Sequence, residues 1–286
     1  MSKILVTGAH GFVGKALCKA LKQLNHEVIE LNSIDGDIID TKTWEKVPAC
    51  NTVIHLAAKT FVPDSWKHPD LFIKINTLGT LNALEYCKKY GAKLVFISSY
   101  LYGNPSSLPI SETATIFTPN PYALSKKIAE DYCRFYADSF QVNTLIIRPF
   151  NLYGFGQSEN FLIPEIIGQV LKGDPIHIKD LEPKRDYIFV NDFIEAIIRC
   201  IDKNKFDIIN IGSGISYSVR EIIQMIQEIC GTELNVINSM EKRPAEIMDT
   251  IADISKAKEI LDWSPTTSMH EGLSLIIQQS KQAKRI

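Results

Sequence analysis

The chain is most constrained by its first fourteen residues. The apolar run Ile4-Leu5-Val6 leads straight into Thr7-Gly8-Ala9-His10-Gly11-Phe12-Val13-Gly14, and a helical pattern over 15–24 starts at once. A buried strand that breaks into a glycine turn and opens a helix points the unpaired N–H groups and positive dipole of that helix at one spot. Glycines there let an anion, typically a pyrophosphate, approach the backbone. The spacing is G-x-x-G-x-x-G, where the general dinucleotide fingerprint is G-x-G-x-x-G. Gly8 suits the tight turn, Gly11 the approach to phosphates and Gly14 the packing of helix on strand, with His10, Phe12 and Val13 lining the same loop. The alternative is an ordinary glycine-bearing βα connection; the strand before it and the helix after it favour nucleotide binding.

The rest of the N-terminal half repeats this alternation. Strands are expected at 3–6, 27–31, 52–56, 94–98 and 144–148, with helices at 15–24, 76–90 and 122–140. Several of the strands are nearly continuous apolar runs, which suits a parallel sheet covered on both faces. Repeated βα units of this kind predict an α/β fold, a Rossmann-type doubly wound parallel sheet. After Pro149 the segments become shorter and punctuated by Gly and Pro, with helices expected at 162–172, 218–230 and 254–261. One more apolar strand, 206–211, is expected to return to the main sheet. The division that follows is a cofactor-binding domain over 1–150, rejoined by about 187–212. A smaller interleaved α/β substrate domain covers 151–186 and 213–286. Ligands of open α/β sheets sit at the carboxyl ends of the strands, so the cleft between the two is the expected site.

Composition limits the partners. With 286 residues, 45% apolar and 22% charged, the chain is long enough for one large or two modest domains with a core. A net charge of −2 gives no general attraction to nucleic acid or an anionic membrane surface. Strand residues begin by position 4, leaving no room for a signal peptide, and no apolar run approaches a membrane span. The six cysteines form no C-x-x-C pair and the six histidines show no metal-ligand spacing. A cytoplasmic protein with reduced thiols and no metal is expected.

A second motif is Tyr122-Ala-Leu-Ser-Lys126. Asn120 is a good N-cap and Pro121 a good first helical residue, so Tyr122 opens a helix and Lys126 lies one turn along on the same face. A nearby ammonium is expected to favour the phenolate and lower the tyrosine pKa. The pair can then take a proton from a sugar hydroxyl or return one to a carbonyl.

Taken with these two motifs, the chain resembles the extended short-chain dehydrogenase/reductase family, the nucleotide-sugar epimerases, dehydratases and reductases. The likeness runs through Thr7–Gly14, Gly36-Asp37-Ile38, His55-Leu56-Ala57-Ala58, Asn76 with Gly79-Thr80-Leu81-Asn82, Ser98-Ser99, Tyr122–Lys126 and Arg148-Pro149-Phe150-Asn151. It continues through Arg185-Asp186-Tyr187, Ile211–Gly214, Arg243-Pro244 and Ala252–Ala257. The resemblance implies bound NAD or NADP, with Asp37 and Ile38 flanking the adenine. Leu56, Ala57 and Ala58 would lie close to the cofactor, and Pro149 beside it. Asn76 and Lys126 would meet the nicotinamide half, Lys126 on the ribose hydroxyls. Asn151, Arg185 and Arg243 would hold the sugar nucleotide, the arginines on its diphosphate. It implies Tyr122, Lys126 and a serine as catalytic residues, and a homodimer through the helices at 76–90 and 121–140.

The serine is either Ser98 or Ser99. Counting back from Tyr102-Gly103 selects Ser98, counting from the strand end selects Ser99; the short loop resembles that of GDP-fucose synthase, which favours Ser98. Sugar 4,6-dehydratases of the family carry an acidic pair where Tyr100 and Leu101 stand, and GDP-fucose synthase has a cysteine at Tyr100, so neither dehydration nor thiol-based epimerisation is expected. Reduction of a 4-keto-6-deoxy sugar nucleotide is preferred. The compact segment 32–37 and modest length resemble the reductases. A 4-epimerase working through a transient 4-keto sugar is the alternative, and a non-catalytic NAD(P)-binding sensor is disfavoured by the retained Tyr122 and Lys126. NAD enzymes usually end the second strand with an acid for the ribose 2′-OH. Asn32 fills that place here with no Arg or Lys adjoining, so the form of the cofactor stays open.

Overall fold

The computed structural model describes residues 2–241 and 247–283. Its centre is a six-stranded sheet in the order β2-β1-β3-β4-β5-β9. The strands are β1 (Lys3–Thr7), β2 (Glu27–Leu31), β3 (Thr52–His55), β4 (Lys93–Ile97), β5 (Thr144–Pro149) and β9 (Asp207–Ile211). Every pairing is parallel. All residues of β3, β4 and β5 are buried, as expected of strands covered on both faces. Alternation along each strand splits the core in two. Ile4, Val6, Ile54, Val95 and Ile147 face α1 (Phe12–Gln23) and, farther along the chain, α8 (Val190–Cys200). Leu5, Val53, Leu94, Phe96 and Ile146 face α5 (Gly79–Tyr90) and α6 (Pro121–Phe140).

The strand order reverses between β1 and β3, which opens the crevice where ligands of such sheets bind. Beyond β2 there is no further strand among the described residues. The chain turns through 32–40 into the short α2 (Thr41–Glu45), and β2 is the sheet edge. After β3 come α3 (Val62–Lys67) and α4 (Pro69–Ile73), then a π turn over Lys74–Leu78 that runs into α5. The expected helix at 76–90 therefore starts as a π turn, and α6 starts where Asn120 caps it, accepting from the Ala123 N–H at 2.8 Å.

The C-terminal part adds two small sheets. One is β6 (Asn151–Tyr153), β8 (Lys184–Phe189) and β10 (Ser216–Ser218); the other pairs β7 (Ile176–Ile178) with β11 (Val236–Asn238). Around them pack α7 (Leu162–Lys172), α9 (Val219–Cys230), α10 (Ser255–Leu261) and α11 (Met269–Ala283). β9 leaves this region and pairs with β5. Buried Asp186 fastens the joint: its carboxylate accepts from the N–H groups of Ser213 (2.6 Å), Gly214 (2.9 Å) and Ala252 (3.0 Å). Among the described residues, no helix is long and apolar enough to cross a membrane.

Candidate active site

The glycine loop forms a close-fitted cradle. Gly8 has φ +68°, and a Cβ there would lie 2.9 Å from the Ala57 nitrogen; a Cβ on Gly14 would lie 2.2 Å from the Gly8 carbonyl oxygen. Loop, helix and the end of β3 thus touch through backbone, which only glycine permits. Gly11 caps α1 with no side-chain bond, and no acid occupies the first turn, so the helix N-terminus is left to an external anion. A dinucleotide pyrophosphate fits this cradle. Phe12 and Val13 pack back on the core, while His10 is exposed with Nε2 3.4 Å from Glu30. Glu30 also takes Lys22 at 2.6 Å.

Behind the loop is a pairing that sequence reading passed over. The Ala57 N–H donates to Thr7 Oγ1 (3.2 Å), and Thr7 Oγ1 lies 2.8 Å from His55 Nδ1. The Thr7 hydroxyl thus bridges the Ala57 N–H and the imidazole. Burial, with the Lys126 charge adding to it, pushes His55 down to about 3, so the ring is neutral. The signal was available: Thr7 and His55 are the polar ends of apolar runs, and they face each other in the β1–β3 register.

Other expected cofactor residues fall as follows. Asn32 follows β2 and is occupied in a turn, its N–H donating to Asp35 and its Oδ1 accepting from Ile34. Exposed Asp37 accepts from the Ile39 N–H. Ile38 is buried, with its side chain against Gly79 and its carbonyl accepting from Trp44 and Asn82. Leu56, Ala57 and Ala58 are half-buried just past β3, and Pro149 is buried in β5. Asn76 lies in the π turn, a device that recurs at functional sites. It is fully occupied: Nδ2 donates to Ser125 Oγ and Lys59 O, and Oδ1 accepts from the Lys59 N–H.

Tyr122 and the two serines come together at the carboxyl end of β4. The Tyr122 phenol lies beside the Ser99 hydroxyl, and its pKa is pushed up to about 12 by burial, against the smaller pull of Ser99. The expectation that Lys126 lowers this pKa is not met. The ammonium instead donates to the Ile97 carbonyl at 2.7 Å, and desolvation dominates the phenol. Lys126 is itself brought down to about 8 by burial, with Glu130 opposing. The contact to Tyr122 belongs to Ser99, not to the favoured Ser98. Ser98 is buried at 3% exposure, and its hydroxyl has no partner among the described residues.

On the substrate side, Asn151 begins β6. Its Nδ2 donates to the Asp186 carbonyl (3.0 Å) and its Oδ1 accepts from the Tyr100 hydroxyl (3.3 Å). Tyr100 stacks on Phe150, ring centroids 5.1 Å apart, which fixes a phenol beside Tyr122. Arg185, in β8, donates to the carbonyls of Lys184 (2.7 Å) and Ile247 (2.5 Å). Arg243 lies outside the described residues.

Residues 4–212 match the model of the NAD-dependent epimerase/dehydratase family. The chain is 33% identical to a putative UDP-glucose 4-epimerase of Methanocaldococcus jannaschii, over 99% of each chain. It is 34% identical to GDP-6-deoxy-D-talose 4-dehydrogenase of Aggregatibacter actinomycetemcomitans, over 91% of each. Among solved structures, RMD of Pseudomonas aeruginosa complexed with NADPH superposes with a TM-score of 0.91 at 28% identity, over all of both chains.

Proposed function

The chain belongs to the NAD-dependent epimerase/dehydratase family, NAD(P)-dependent enzymes of nucleotide sugars, and from that premise we propose that it reduces the C4 carbonyl of a 4-keto-6-deoxy sugar nucleotide. The observation that carries the reading is the buried, protonated Tyr122 phenol beside Ser99, with the Lys126 ammonium held on the Ile97 carbonyl. A phenol kept neutral is a proton donor, which is what a keto oxygen requires as its carbon accepts hydride. Bound NAD(P)H supplies that hydride. Tyr122 gives its proton to the C4 oxygen, so the C=O becomes CH–OH and the charge left behind is a phenolate. Ser99 donates to that phenolate, and Lys126, held on the Ile97 carbonyl, serves the cofactor side. Ser98 presents a buried hydroxyl without a partner; a bond to the C4 oxygen would satisfy it. Asn151 and Arg185 serve the nucleotide-sugar side, with Arg243 as a third contact. Asn32, Asp37, Ile38, Leu56 and Pro149 serve the cofactor side. The similarity to a GDP-6-deoxysugar 4-dehydrogenase supports a 6-deoxy sugar. The exposed Leu78, Leu124 and Phe135 around α5 and α6 support a second copy as partner.

The test is incubation with a panel of sugar nucleotides and their 4-keto forms, followed at 340 nm. Loss of added NADH or NADPH with one 4-keto sugar is expected, and Tyr122→Phe should lower kcat about 10²- to 10⁴-fold with little change in cofactor binding. The similarity to a putative UDP-glucose 4-epimerase favours a second reading, 4-epimerisation. Isomerisation with no net change at 340 nm would replace the first reading by the second.

A further inference from the structure

Directly behind the serine segment lies a buried chain of polar side chains that the proposed chemistry does not use. Glu130 stands on α6 two turns beyond Tyr122 and one beyond Lys126. It is paired with Arg148 of β5, both side chains 4% exposed. The guanidinium donates twice, Nε to Oε1 at 2.9 Å and Nη2 to Oε2 at 2.6 Å. Its remaining terminal nitrogen, Nη1, donates to the Tyr102 hydroxyl at 2.9 Å, and that hydroxyl donates to Asn210 Oδ1 of β9 at 2.6 Å. Asn210 Nδ2 in turn donates to the Ile110 carbonyl at 3.0 Å.

Tyr102 ends the segment that begins with Ser98. At its near end the segment is held by the Ser98 N–H on the Ile147 carbonyl (2.8 Å), the Tyr100 N–H on the Pro149 carbonyl (3.2 Å) and the Tyr100 hydroxyl on Asn151 Oδ1 (3.3 Å). At its far end the side-chain anchor is the Tyr102 hydroxyl. A buried ion pair seldom stabilises a fold more than apolar residues of the same volume, because both charges lose their water. A bidentate Arg–carboxylate pair does fix direction, since both forks are planar. Here the direction fixed is that of Nη1 toward Tyr102.

We infer that the Glu130–Arg148–Tyr102–Asn210 chain is a positioning device, locking the Ser98–Tyr102 segment to the same helix that carries Tyr122 and Lys126. None of its four residues touches the reacting atoms. The inference rests on the reading of Tyr122 and the serines as the reacting groups.

Tyr102→Phe tests it by removing one oxygen while keeping the ring on Phe150. Hydrogen exchange should speed up roughly tenfold or more, the scale of one bond to a charged group, at amides 98–103 and 110–114, while β1 and β4 keep their protection. With the sugar nucleotide found above, kcat should fall about tenfold while KM and NAD(P)H affinity stay within about twofold. The paired variant Glu130→Gln with Arg148→Met, which removes both charges together, should loosen the same amides. Unchanged exchange at 98–103, loosening spread equally over the sheet, or local loosening with unaltered kcat would each overturn the inference. Exchange needs no substrate, so an enzyme that turned over no sugar nucleotide would sink the proposed function and leave this arm readable.

Discussion

His55 makes the stability of the fold depend on acidity in a calculable way. The ring is neutral and buried, with a pKa brought down to about 3 from the ordinary 6.5. Between those values the unfolded chain binds a proton that the folded chain refuses, so stability is present above 6.5 and is lost as pH falls toward 3. For one such group the loss between pH 7 and pH 5 is about 2 kcal/mol, growing by about 1.4 kcal/mol for each further unit down to about 3. Other groups titrate in the same range, so the comparison needs a reference that differs at one site. His55→Asn keeps an acceptor near the Nδ1 position for Thr7 and has no proton to take up. Urea unfolding of both proteins at pH 7 and pH 5 gives the two differences. The wild type should lose about 2 kcal/mol more than the variant over that interval. Equal losses would refute the reasoning, because they would mean that His55 takes up its proton in the fold as readily as in the unfolded chain.

Four further outcomes follow from the site. Gly14→Ala should weaken NAD(P)H binding at least tenfold and cost about 1–3 kcal/mol of stability, measured by fluorescence titration and thermal unfolding, since its Cβ would lie 2.2 Å from the Gly8 oxygen. Asn32→Asp, which restores an acid after β2, should leave NADH binding in place and weaken NADPH binding roughly tenfold or more by repulsion of the 2′-phosphate; equal effects on both would place the 2′ position elsewhere. Ser98→Ala should lower kcat about 10²-fold with no loss of stability, because the hydroxyl removed has no partner among the described residues. Ser99→Ala should cost less kcat and move the alkaline limb of the pH–rate profile upward, since Ser99 favours the Tyr122 phenolate; a larger kcat loss from Ser99→Ala would exchange the roles of the two serines.

The parts of the fold written in short-range patterns were legible in the sequence. β1, the glycine loop and α1 follow from an apolar run, glycine spacing and an amphipathic stretch. α6 was marked at its start by Asn120 and Pro121. The short strands β6, β8 and β10 were not, because three to six residues with mixed burial carry no clear period. α8 was passed over although seven of its residues are buried; its apolar stripe starts at once from β8, with no side-chain cap to mark the boundary. Within the site, residue types and order pointed to Tyr122, Lys126 and a serine, whereas orientation was out of reach. Lys126 was expected to act on the phenol, but the nearest acceptor, the Ile97 carbonyl, comes from a strand some thirty positions earlier. The choice between Ser98 and Ser99 likewise turns on which side of the chain faces α6 at the end of β4, and two adjacent serines give no periodicity from which to read it.

The pairing of β9 with β5 also has a consequence during synthesis. Residues 150–206 separate the two strands, and they contain all of β6 to α8. When β5 emerges from a ribosome, its outer edge lacks the neighbour that will cover it. At roughly 5–20 residues per second that edge waits several seconds for Asp207–Ile211 to appear. During this interval the nascent sheet presents an apolar strand edge, a template for wrong pairing. The insertion of substrate-side elements between β5 and β9 therefore sets a time window in which a chaperone, or speed of translation, governs the yield of folded protein.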